Sequence, residues 1–92
     1  GGRPPYGYRV EDGALVKDEG EARCVKLVFC MRESGHTLQC IADEVNAAGY
    51  RTKGGKAFSR SAIQNILTNE RLYRGRLQYN GREYDGNYEK IL

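Results

Sequence analysis

Apolar residues fall at helical spacing in three stretches of the chain and alternate with polar ones near both ends. Cys24, Leu27, Val28 and Met31 make one stripe, widened by Val25 and Phe29. So broad a stripe predicts a helix packed on more than one neighbour. Asp18 is its N-cap, and Glu19 and Glu21 occupy the first turn, where the helix dipole favours acids. Ser34-Gly35 ends it after about residue 33. Leu38, Ile41, Ala42 and Val45 repeat the spacing over residues 38–48, between a Thr37 cap and an Ala48-Gly49 stop. Ser59 caps a third stretch, residues 60–68, with Ala62, Ile63, Ile66 and Leu67 facing inward and Asn69 as the stop.

The flanks read as strand. Tyr6-Gly7-Tyr8-Arg9-Val10, the turn Glu11-Asp12-Gly13 and Ala14-Leu15-Val16-Lys17 predict a short hairpin. Arg76-Leu77-Gln78-Tyr79 and Arg82-Glu83-Tyr84 surround Asn80-Gly81, the strongest short hairpin signal. Residues 88–92 are apolar enough to dock as a tail or to begin the next segment. Gly1-Gly2-Arg3-Pro4-Pro5 disfavours helix and reads as an extended arm. The expected fold class is α+β: a small three-helix, helix-turn-helix-like core with short flanking β-hairpins. Residues 1–5 are expected to form the arm and residues 6–92 one domain.

Composition narrows this little. The chain has 92 residues, 39% hydrophobic and 29% charged, which suits one soluble domain. No apolar run nears the roughly 18 residues of a membrane span, and no signal peptide opens the chain. A start at Gly1-Gly2 suggests a piece of a longer protein. Cys24, Cys30 and Cys40 are odd in number and lack CxxC spacing, so small buried hydrophobes in a reducing, cytoplasmic compartment are expected. With His36 they have no zinc-ligand spacing, and neither metal nor cofactor is expected.

Charge changes the picture more. The net charge is +3, unevenly placed. Residues 1–50 carry six Lys/Arg against eight Asp/Glu, whereas residues 51–92 carry nine against four. A basic half beside an acidic one suits a face built for a polyanion. The third helix would present Arg60, Ser61, Gln64, Asn65 and Thr68 outward. Arg and Gln make bidentate hydrogen bonds to base edges, and Ser and Asn are adaptable partners. Helices that read the major groove show such residues near their N-terminal end, so Arg60, Ser61, Gln64 and Asn65 are the candidate base readers. Arg51, Lys53, Lys56, Arg71, Arg74 and Arg76 flank them as candidate phosphate contacts. Residues 50–57 read as a basic, flexible linker, longer than the usual helix-turn-helix turn. Arg3, alone in the arm, is placed for a narrow minor groove.

The alternatives are a protein-interaction module using the tyrosine-rich hairpins, and an enzyme. The first would show a contiguous apolar patch. The second lacks its parts: His36 is the one His, without a credible nucleophile or orienting acid. Gly54-Gly55-Lys56 lacks the rest of a phosphate-loop pattern.

Pro5-Tyr6-Gly7-Tyr8-Arg9 resembles the opening of the recombinase domain of large serine recombinases, in the resolvase–invertase family. Further matches follow in order: Val28-Phe29, Gly35, Ile41-Ala42, Val45-Asn46, Gly49, Arg51-Thr52, Gly55-Lys56, Phe58-Ser59, Ile63, Ile66-Leu67, Asn69 and Tyr73-Arg74-Gly75. The ordered set spans about residues 4–75, and the final hairpin matches loosely. The resemblance implies a separate N-terminal domain whose serine attacks DNA phosphate. It implies that the present domain binds the recombination site and that a zinc ribbon with a coiled coil follows. DNA binding is therefore expected of these residues and catalysis is not. Ser59 reads as a cap and Ser61 as a polar face residue, neither as the nucleophile. Expected partners are double-stranded DNA and the other domains of an integrase or transposase, with no membrane and an isolated domain that is monomeric.

Overall fold

Three side-chain caps start the three main helices at the positions that the sequence marks. In the computed structural model, which describes residues 4–79, 82–85 and 88–92, Asp18 accepts from the Glu21 amide at 3.0 Å and opens α1 (Glu19–Glu33). Thr37 accepts from the Cys40 amide at 3.1 Å and opens α2 (Leu38–Ala47). Ser59 accepts from the Ala62 amide at 3.2 Å and opens α3 (Arg60–Thr68). Each bond satisfies an amide that the helix itself leaves without a partner. Gly49, at φ +93°, ends α2: its amide reaches Asn46 O and the Tyr50 amide reaches Val45 O, both at 3.0 Å.

One element is not predicted by the apolar spacing. Asn69 does end α3, but the chain enters a single further turn, α4 (Glu70–Tyr73), without a break. Four residues are too few to display a helical period.

Two separate antiparallel hairpins flank the helices. In the first, β1 (Tyr8–Glu11) pairs with β2 (Ala14–Lys17) in the register Tyr8↔Lys17 and Val10↔Leu15. In the second, β3 (Arg76–Tyr79) pairs with β4 (Arg82–Asp85) in the register Arg76↔Asp85 and Tyr79↔Arg82. The Asn80-Gly81 signal lies outside the described residues. The first strand starts later than predicted, because Tyr6 and Gly7 form a turn in which the Tyr8 amide bonds to Pro5 O at 3.1 Å. Gly7 sits at φ +103°, and a Cβ there would lie 2.7 Å from Ile91 Cδ1. Backbone conformation and packing both require glycine at this point.

The core lies where α1, α2 and α3 meet. Val25, Val28, Ile41, Ala42, Val45 and Ile63 are wholly buried there, with Ile66 at 3% exposure. Burying a side chain such as Ile63 contributes roughly 1.5–3 kcal/mol. Leu67 was expected inside but is half-buried, since it sits at the margin of the inward stripe. A second, aromatic layer joins the hairpins and the tail. Tyr8 stacks on Tyr73 at 6.3 Å, and Phe29 and Tyr88 meet this pair edge-on. The tail docks as expected: Ile91 is buried and its amide reaches Tyr73 O at 2.9 Å.

The cysteines depart from expectation. Cys24 is buried, but Cys30 and Cys40 are exposed. Cys30 lies six residues after Cys24 on the same helix, a step of about 600° that turns it well off the inward stripe. Cys40 stands on the outer face of α2, with Sγ 3.5 Å from His36 Nδ1. Among the described residues, no three His, Cys, Asp or Glu side chains gather as a metal site would require. No helix among them is long and apolar enough to cross a membrane.

Candidate nucleic-acid interface

The period of α3 separates its two faces. Ile63 and Ile66 point into the core, and Arg60, Ser61, Gln64, Asn65 and Thr68 are all exposed. Arg60, Gln64 and Thr68 follow one i, i+4 line, and Ser61 and Asn65 follow the next, so the four candidate base readers share one surface. Gln64 is steadied by a long 3.4 Å contact from its amide to the Thr68 hydroxyl, which itself donates to Gln64 O at 2.8 Å.

The two sides of this surface differ in charge. On one side lies an open cleft of about 480 Å³ between α3, the 52–58 loop and Tyr6. Phe58, Ile66 and Tyr73 floor it, while Lys53, Lys56, Asn65 and Asn69 reach its walls. None of the described residues lining it is a carboxylate. On the other side is a cleft of about 320 Å³ lined by Phe29, Arg32, Glu33, Gln64, Leu67 and Glu70. Two acids beside one arginine make that side hostile to a polyanion, so a nucleic-acid backbone is favoured on the Lys56 side. Asn69 and Thr52, which line the first cleft, stood in the sequence as a helix stop and as family matches, not as candidate contacts.

The candidate cations occupy different environments. Lys56 is exposed, three residues before the Ser59 cap. Arg51 is exposed but donates to Tyr50 O at 2.7 Å and to Asn46 O at 3.2 Å, bracing the end of α2. Arg74 is paired with Glu70 at 3.1 Å, one helical turn away and half-exposed. Arg71 and Arg76 are exposed at the other end of the site. Lys53 is turned inward: its ammonium donates to Tyr8 O at 2.7 Å and to Glu21 Oε1 at 2.8 Å. Arg3 lies outside the described residues.

The loop carrying Lys53 and Lys56 was expected to be a flexible linker. It is instead folded back on itself. The Thr52 amide bonds to Lys56 O at 2.8 Å, the Gly55 amide to Thr52 O at 2.8 Å, and the Lys56 amide to Thr52 Oγ1 at 3.1 Å. Glycine-rich composition signals conformational freedom, and these three bonds use it to close a turn.

Four of the described tyrosines are engaged internally. Tyr8 and Tyr73 are fully buried, Tyr88 donates to Leu72 O at 2.6 Å, and Tyr6 meets Phe58 edge-on at 5.3 Å. Burial pushes the Tyr73 phenol well above its ordinary pKa, with nearby Tyr8 adding to the shift. Among the described residues, Val10 is the large apolar side chain left exposed. The contiguous apolar patch of an interaction module is therefore not present among them.

Comparison with known proteins agrees with this architecture. A search of curated proteins finds none that matches the sequence. Among solved structures, the chain is similar to one described as the crystal structure of an LSR–DNA complex. The two are 25% identical with a TM-score of 0.77, over 96% of this chain and 27% of that one. It is also similar to a structure from work on the sequence requirements of the Listeria innocua prophage attP site. There the identity is 25% and the TM-score 0.75, over 95% of this chain and 36% of that one. The chain thus spans about a third or less of the proteins it resembles. The Recombinase family model matches residues 19–92, most of the sequence, and the chain belongs to that family as a recombinase domain of the large serine recombinases.

Proposed function

We propose that this chain is a sequence-specific DNA-binding domain that seats a separate catalytic domain of a large serine recombinase on its recombination site. The observation that carries the reading is the outer face of α3. Four side chains able to address base edges share one exposed surface, and the cleft beside it holds Lys56 and no described carboxylate. In this reading Arg60, Ser61, Gln64 and Asn65 enter the major groove. Lys56 leads the phosphate contacts, with Arg51, Arg71, Arg74 and Arg76 supporting it. Arg3 continues the contact into the minor groove. The similar proteins, one of them described as a DNA complex, support it. The strand-cutting chemistry belongs to another part of the parent protein, which works in the cytoplasm where its DNA substrate lies.

Binding of the 92-residue chain to attachment-site and random duplexes, each at two salt concentrations, tests this. The expected result is tighter binding to the attachment site and a steep loss of affinity with salt on both. Equal, salt-insensitive affinities for the two duplexes would refute it.

A further inference from the structure

Glu21 is a meeting point of three segments distant in sequence. Its Oε1 accepts from the Gly7 amide at 2.8 Å and from Lys53 Nζ at 2.8 Å, and Lys53 also donates to Tyr8 O at 2.7 Å. The pair is mostly sheltered, with side-chain exposures of 22% and 20%. The Tyr6 ring lies 6.0 Å from the same ammonium, and the Tyr6 hydroxyl donates to Arg51 O at 2.9 Å. The segment that begins the domain is thus tied to the 51–53 loop at two points, one on each side of Gly7.

We propose that Glu21 and Lys53 form an internal latch, which holds the basic loop against the start of the domain and so sets where Lys56 stands beside α3. Lys53 is then a positioning residue rather than a DNA contact; the proposal rests on the DNA-binding reading above. The chemistry of the pair supports it. To reach a phosphate, Lys53 would have to abandon both acceptors and leave a sheltered carboxylate without its counter-charge. The closed turn from Thr52 to Lys56 makes the loop a short, stiff lever, so fixing residue 53 also fixes residue 56. The latch further couples the direction in which upstream chain joins the domain to the placement of the basic loop.

The two roles predict opposite signs for one substitution. Glu21→Gln removes a negative charge. If Lys53 were a phosphate contact, the change would release it and tighten DNA binding. If the latch operates, the change loosens the loop and weakens binding, by roughly two- to tenfold for coupled polar neighbours. Lys53→Met should weaken binding to the same degree with the salt slope unchanged, whereas Lys56→Met lowers that slope by about one. The Glu21→Gln/Lys53→Met double variant should bind no more weakly than the worse single one. Tighter binding by Glu21→Gln, or a reduced salt slope in Lys53→Met, would overturn the latch. Amide hydrogen exchange in the DNA-free chain decides it independently. Lys53→Met should speed exchange at Gly7, whose own bond is to Glu21, and unchanged exchange there would also overturn the proposal. Failure of the wild-type chain to bind any DNA would refute the functional reading while leaving the exchange result to judge the latch.

Discussion

The Asn46 carboxamide clasps the backbone of Phe58 in both directions: its Nδ2 donates to Phe58 O at 3.0 Å, and its Oδ1 accepts from the Phe58 amide at 2.7 Å. One side chain near the end of α2 thereby mimics a strand partner and fixes the residue that precedes the α3 cap. Asn46→Ala leaves both backbone groups of a buried residue without partners, at about 1–3 kcal/mol for each such group. The expected outcome is a clear drop in the urea midpoint. Asn46→Asp should also destabilise, since a carboxylate cannot donate to Phe58 O. A midpoint unchanged in both variants would show that water replaces the clasp.

The face of α3 predicts a loss of discrimination. Arg60→Ala or Gln64→Ala should reduce the preference for cognate over random DNA by ~1–3 kcal/mol where a bidentate contact is lost. Competition binding with the two duplexes measures it. A preference ratio that survives both substitutions would move base reading to another element.

The cations should not be equivalent. Lys56→Met should weaken cognate and random DNA alike and lower the salt slope by about one unit. Arg74→Met should do less, because Arg74 is already shared with Glu70. Salt titrations of the two variants rank them, and the reverse order would place the backbone on the Glu70 side.

Alkaline pH should unfold the chain early. Burial pushes the Cys24 thiol from 9.0 up to about 11, with the Tyr6 hydroxyl opposing the shift. Burial, then the neighbouring Tyr88 and Glu89, push the Tyr8 phenol from 10.0 up to about 12. Both groups keep their protons in the folded chain at pH values where the unfolded chain releases them. Stability is therefore full below about pH 9 and falls as pH rises towards 12. Urea midpoints at pH 8 and pH 11 check this, and Cys24→Ala should flatten the first part of the fall. A midpoint independent of pH would show that these groups are not sheltered.

Local chemistry was legible in the sequence wherever its cause was local. The caps Asp18, Thr37 and Ser59, the Gly49 stop and the strand Ala14–Lys17 follow from side chains acting on backbone within a few residues, and they stand where the pattern put them. The polar face of α3 was legible for the same reason: a nine-residue helix with Ile63 and Ile66 inside must turn Arg60, Gln64 and Asn65 outward. What the sequence could not decide was set by partners far along the chain. Lys53 looked like one more basic loop residue, and only the fold brings Glu21, 32 residues away, against its ammonium. The 50–57 segment looked flexible by composition and is closed by hydrogen bonds. Periodicity and capping report what a helix does to its own residues. Which cation is free to meet an anion depends on long-range packing, because an ion pair or a close contact is settled by whatever the rest of the fold places within a few ångströms.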